Sequence, residues 1–111
     1  MVEFRIVAMV AMAAVLAAHP VPAQQREHRL TVTNGTDVAI EYFYFAGCGA
    51  GEWGKDRLGA KEIIAPGARR LFSIKGDSDE CCRDLRAKLQ SGASRQKLDV
   101  DICRDSEWVL R

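Results

Sequence analysis

The sequence predicts an all-β chain: one small antiparallel β-sandwich of about seven short strands, reinforced by disulfides. Three observations carry this. Apolar and polar residues alternate with period two in short runs such as RLTVTN (29–34) and KLDVDIC (97–103). Clusters of turn residues, Asn34-Gly35-Thr36-Asp37 and Ala65-Pro66-Gly67 among them, separate those runs. All four cysteines, Cys48, Cys81, Cys82 and Cys103, lie in the part of the chain expected to be exported.

Export is read from the N-terminus. A short head with Arg5, an unbroken apolar run over 6–18 and a small-residue exit at Val21-Pro22-Ala23 read as a signal peptide, residues 1–23, cleaved after Ala23. The apolar run is shorter than the roughly 20 residues a helix needs to span a bilayer core, so no membrane anchor is expected after cleavage. Residues 24–111 then form a single β domain, 88 of the 111 residues, in the periplasm or outside the cell. Removing Arg5 and Glu3 from the 16 basic and 15 acidic residues leaves 15 against 14. Such a balance offers nucleic acid no basic surface. An even cysteine count in a short exported chain points to two disulfides. A domain of this size buries too little surface for an ample core, and each bridge is worth roughly 3–4 kcal/mol.

The elements follow in order. RLTVTN and the aromatic stretch 38–45 read as the two arms of a hairpin about Asn34-Gly35-Thr36-Asp37. The second arm is β-branched and aromatic on both faces, which suits a central strand covered on both sides. KEII (61–64) and ARRLFSI (68–74) flank Pro66-Gly67, a type II turn signal, and suggest a second hairpin. DSDECCRDLRAKLQSG (77–92) reads locally as a helix, with Asp77 as N-cap and Leu85 and Leu89 one turn apart. As a strand folded back on KLDVDIC about Ser91-Gly92-Ala93-Ser94, it would pair Leu85 with Val100, Ala87 with Leu98, Arg86 with Asp99 and Cys82 with Cys103. Four consistent pairings outweigh propensity, and Leu98, Val100 and Ile102 are then expected inward. Residues 107–110 complete the set, with Trp108 and Leu110 on one face.

Enzyme-like motifs fail on context. GAGEWG (49–54) spells G-x-G-x-x-G, but no helix signal follows it, and the chain is too short for a βαβ unit. It reads as a glycine-rich loop, and no cofactor is expected. The cysteines lack the closely spaced pairs of zinc sites and the C-x-x-C of thiol exchange. The acidic cluster from Asp77 lacks the glycine and glutamate of an EF-hand, since Cys82 and Lys88 hold those positions, so no metal is expected. His28 is the one histidine after the signal peptide, a poor basis for a triad or dyad. Asn34-Gly35-Thr36 matches the N-glycosylation triplet but already serves as a turn. Neighbouring residues on a strand face opposite ways, so Cys81 and Cys82 need different partners. The register above gives Cys82 with Cys103 and leaves Cys81 for Cys48.

The chain resembles a group of small exported bacterial proteins of uncharacterised function. The likeness is carried by Trp53-Gly54-Lys55-Asp56-Arg57-Leu58-Gly59, then Pro66-Gly67, then a cysteine followed by Asp84-Leu85-Arg86, then Val100-Asp101-Ile102-Cys103. It implies an antiparallel β fold and a strand over 81–90, and it implies no activity. It also implies a Cys81–Cys103 bridge, against the register, so the pairing stays open between the two. Cys48 lies where the group does not usually have cysteine, which suggests an added bridge.

The expected function is non-enzymatic: an exported domain that binds a protein or small ligand of the cell envelope. The candidate surface is the loop 47–59, with Trp53, Lys55, Asp56 and Arg57. Trp53 could instead fold back and plug one end of the sandwich. The alternatives are an inhibitor of a secreted enzyme and a small hydrolase or metal-dependent enzyme.

Overall fold

Alternation becomes strand almost throughout. The computed structural model describes residues 26–76 and 80–111; the expected signal peptide and the Asp77 cap of the helical alternative lie outside them. Among the described residues there are six strands and no helix: β1 (Arg26–Asn34), β2 (Ile40–Gly47), β3 (Arg69–Gly76), β4 (Cys82–Leu89), β5 (Ser94–Asp101) and β6 (Glu107–Leu110). They form two three-stranded sheets, ordered β3-β1-β6 and β2-β4-β5. All pairings are antiparallel except β1 with β6, which is parallel.

The inward rows of the two sheets make one core. Leu30 and Val32, Phe72 and Ile74, Trp108 and Leu110 come from the first sheet; Phe43 and Phe45, Leu85, Ala87 and Leu89, and Val100 come from the second. Phe43 sits at the centre, its ring centroid 4.5 Å from that of Phe72 and 6.3 Å from that of Trp108. Burying such a side chain is worth about 1.5–3 kcal/mol, so this contact between sheets anchors the sandwich.

The strands are where the sequence places them, but several partners differ. Neither expected hairpin of the first half forms. β1 and β2 lie in different sheets, because both edges of β1 are taken, by β3 and by β6. Asn34-Gly35-Thr36-Asp37 is therefore a corner that carries the chain from one sheet to the other. The Pro66-Gly67 turn does form: Ala68 N–H donates to Ala65 O at 2.9 Å, and Gly67 has φ 77°. Its first limb, however, contributes only a bridge, Ile64 against Ile40. β2 is an edge strand of its sheet rather than a central one.

The β4–β5 hairpin forms about the expected turn but in another register. Leu85 faces Lys97, Arg86 faces Gln96 and Ala87 faces Arg95, while Arg83 faces Val100 and Cys82 faces Asp101. Between these two stretches Leu98 and Asp99 both oppose Asp84, a β-bulge with Asp99 at φ 55°. The extra residue turns Leu98 outward, where it is 57% exposed, while Val100 and Ile102 stay buried. Period-two reading across residues 97–102 could not register this insertion.

The shifted register overturns the cysteine pairing derived from the other one. The bridges are Cys81–Cys103 and Cys48–Cys82, with Cα separations of 5.3 and 5.5 Å. Ile102 N–H donates to Cys81 O at 2.9 Å, which brings the Cys103 end of the chain beside Cys81.

Asp84 holds the bulge. Its Oδ1 accepts from Asp99 N–H at 2.9 Å and its Oδ2 from Gly49 N–H at 3.3 Å, so one carboxylate joins the bulge to the loop after β2. Asp84→Ala is expected to lower stability by about 1–2 kcal/mol, read as a fall of roughly 5–10 °C in the thermal midpoint. An unchanged midpoint would show that the bulge holds itself.

Candidate functional site

The run Tyr42-Phe43-Tyr44-Phe45 sorts its rings by strand alternation. Both phenylalanines enter the core and both tyrosines face outward, half-buried on the far side of the sheet. They are the chain's only tyrosines. On β4 the alternation sends Arg83, Leu85, Ala87 and Leu89 inward and leaves Asp84, Arg86 and Lys88 outside. Register then sets Tyr42 beside Lys88, Tyr44 beside Arg86 and Ala46 beside Asp84. The Tyr42 and Tyr44 ring centroids are 6.3 Å apart at an interplanar angle of 15°. Lys88 Nζ lies 5.8 Å from the Tyr42 ring centroid.

Trp53 joins this face from the loop. Arg86 places its guanidinium carbon 5.9 Å from the Trp53 ring centroid, and its Nη2 lies 3.5 Å from Ser94 Oγ. Trp53 is half-buried and outside the core cluster, so it does not plug the sandwich. Gly51 and Gly54, at φ 81° and 70°, let the backbone turn sharply on either side of Glu52-Trp53. A cleft of about 220 Å³ opens beside the indole, lined by Ala46, Gly47, Gly51, Glu52 and Asp84.

The loop is clamped at both ends. Cys48–Cys82 and the Asp84–Gly49 hydrogen bond fix its first limb. Asp56 fixes the second: its Oδ1 accepts from the N–H groups of Phe43 and Leu58, each at 3.0 Å. Arg57 N–H donates to Phe43 O at 2.7 Å, so residues 56–57 satisfy the free edge of β2 as a neighbouring strand would. Arg57 lays its guanidinium 4.0 Å from the Phe45 ring centroid.

Of the four loop residues singled out from the sequence, Trp53 therefore reaches the outer face, Lys55 is exposed, and Asp56 and Arg57 hold the loop to β2. Sequence reasoning missed Tyr42, Tyr44, Arg86 and Lys88. The alternation in YFYF carried that signal, but treating the strand as covered on both sides hid it.

Elsewhere, Arg70 hydrogen-bonds the exposed Glu62, and with Gly59 N–H it holds the Glu62 carboxyl below the usual range. This ties the loop before β3 to β3 itself. Cys48, Cys82 and Asp99 form one group of possible metal donors, and Cys81, Asp101 and Cys103 another. In both, the sulfurs are committed to S–S bonds, so their thiolates become available only on reduction. His28 Nε2 lies 3.8 Å from Cys103 Sγ, again a disulfide sulfur and not a free nucleophile. Among the described residues no helix is long and apolar enough to cross a membrane.

No family model, curated protein or solved structure matches the chain.

Proposed function

We propose that the protein is an exported, non-enzymatic binding domain, periplasmic or secreted, that engages a protein of the cell envelope through the outer face of β2 and β4. Two disulfides fit an oxidising compartment. The single observation that carries the reading is the grouping of Tyr42, Tyr44 and Trp53 with Arg86 and Lys88 on one face. Trp, Tyr and Arg dominate the energetics of protein interfaces because they combine large apolar area with a directed polar group. Lys55 stands on the same loop as Trp53 and supplies a charged rim.

Affinity capture from the cell's own envelope extract tests this with three baits: the wild type, Trp53→Ala and Arg86→Ala. Each substitution is expected to weaken capture of the same protein about tenfold or more, with thermal midpoints within a few degrees of wild type. Undiminished capture by both variants would move the binding surface elsewhere. The clamped loop also supports a second reading, inhibition of a secreted enzyme, because rigid presentation is what such inhibitors require. In that case the captured protein is an enzyme, and its turnover falls in proportion to the domain added.

A further inference from the structure

We propose that a second cleft, at the end of the sandwich where β2, β3 and β4 converge, binds a phosphate dianion, either free or as a phosphomonoester. The cleft has a volume of about 440 Å³ and is lined by Phe45, Arg57, Lys75, Glu80, Cys82 and Arg83 among others. It shares Ala46 and Gly47 with the cleft beside Trp53 but is lined by the cations Arg57, Lys75 and Arg83 instead of the indole.

Arg83 occupies an inward position of β4, where alternation would otherwise place an aliphatic residue, and its side chain is only 9% exposed. Nη1 donates to Cys82 O at 2.9 Å, and Nη2 lies 3.5 Å from the exposed Glu80 carboxylate. A Cβ at Gly76 would fall 2.7 Å from Nη2, so the bare glycine lets the guanidinium close against the end of β3. Arg57, stacked on Phe45, has a buried Nε with no hydrogen-bond partner. Among the described residues neither Arg57 nor Lys75 has a carboxylate partner.

Among the described residues, three cations thus share one cleft with one carboxylate. The guanidinium of Arg57 and the ammonium of Lys75 line the cleft without a carboxylate partner among the described residues, and an incoming oxyanion supplies one. The uncompensated charge matches a phosphate group, which carries about −1.5 to −2 at neutral pH, better than a monocarboxylate. Guanidinium groups bind phosphate oxygens through paired N–H donors, and the Phe45 side of the cleft offers an apolar wall for an ester substituent.

The test is a titration of the disulfide-bonded protein with inorganic phosphate, followed by amide NMR shifts, at ionic strength held constant with chloride. Saturable shifts at Phe45, Arg57, Lys75 and Arg83 are expected, with a Kd of about 1 mM or tighter. Acetate is expected to bind at least about tenfold more weakly, and Arg57→Gln and Lys75→Gln each to weaken phosphate about tenfold. Both variants leave backbone pairing untouched, so they remain folded where Arg83→Gln need not. Phenyl phosphate distinguishes the source: tighter binding than inorganic phosphate assigns the site to an ester, equal binding to the free ion. Shifts that do not saturate, that acetate reproduces, or that survive both substitutions overturn the proposal.

Discussion

Reduction of both disulfides is expected to unfold the domain at ambient temperature. The bridges span sequence separations of 34 and 22 residues. On the chain-entropy account each contributes about 3–4 kcal/mol, and the two loops barely overlap, so their effects nearly add. The sum approaches the whole net stability of a small domain, about 5–10 kcal/mol. Placement reinforces this. Cys81 and Cys82 take partners from different parts of the chain, so the start of β4 is tied to the loop after β2 and to the turn after β5. Circular dichroism during denaturant titration is expected to show a cooperative transition for the oxidised protein and none after reduction. Cys48→Ala with Cys82→Ala, or Cys81→Ala with Cys103→Ala, should each lower the thermal midpoint by about 15–25 °C. A sample with four free thiols by intact mass and an unchanged transition would place the stability in packing instead.

Element type was legible in the sequence because alternation is local. Each run read as strand became one except KEII, which supplies only the Ile64 bridge and leaves six strands among the described residues where about seven were expected; β4 formed despite a helical propensity, because Leu85, Ala87 and Leu89 belong to one inward row. Partners were less legible. An Asn-Gly turn between two strand-like runs is the usual mark of a hairpin, yet here Asn34 turns its side chain inward and the chain changes sheets. The register of β5 depended on a bulge that Asp84 stabilises from the opposite strand, an interaction no single run encodes. The cysteine pairing inherited that error, since a slip at the bulge changes what lies beside Cys82. The candidate face was half legible: Trp53 stood out in its loop, whereas the tyrosines were masked by the phenylalanines between them. What decided their partial exposure was the two-sheet layering, which buries the inner face of β2 and leaves its outer face to the tyrosines and the neighbouring Trp53, Arg86 and Lys88.

Asn34→Ala is expected to be among the most damaging single substitutions outside the disulfides. Asn34 is fully buried. Its Nδ2 donates to Val38 O at 2.8 Å and to Ile64 O at 2.9 Å, and its Oδ1 accepts from Thr36 N–H at 3.0 Å. The Thr36 hydroxyl lies 2.6 Å from Asn34 Oδ1 and 2.8 Å from Val38 O and donates to one of them. The amide side chain therefore joins the end of β1, the corner and the segment before β3 at one point. Backbone bonds converge on the same place: Asn34 N–H reaches Ala68 O at 2.8 Å, and Gly35 N–H reaches Leu110 O at 2.7 Å. A Cβ at position 35 would collide with that Leu110 carbonyl, so the close approach of β6 requires glycine there. Alanine at 34 removes three side-chain hydrogen bonds at about 1 kcal/mol each and leaves a small void, a loss of about 3–4 kcal/mol and roughly 15–20 °C in thermal midpoint. Asn34→Asp separates hydrogen bonding from volume: the shape is kept, but a carboxylate then faces the two carbonyls that Nδ2 had served, and the loss should be at least as large. The same burial keeps Nδ2 from a glycan, so the folded protein is expected to carry none at Asn34 by intact mass even where the triplet is recognised. A fall of less than about 1 kcal/mol in both variants would show that the backbone bonds alone hold the corner.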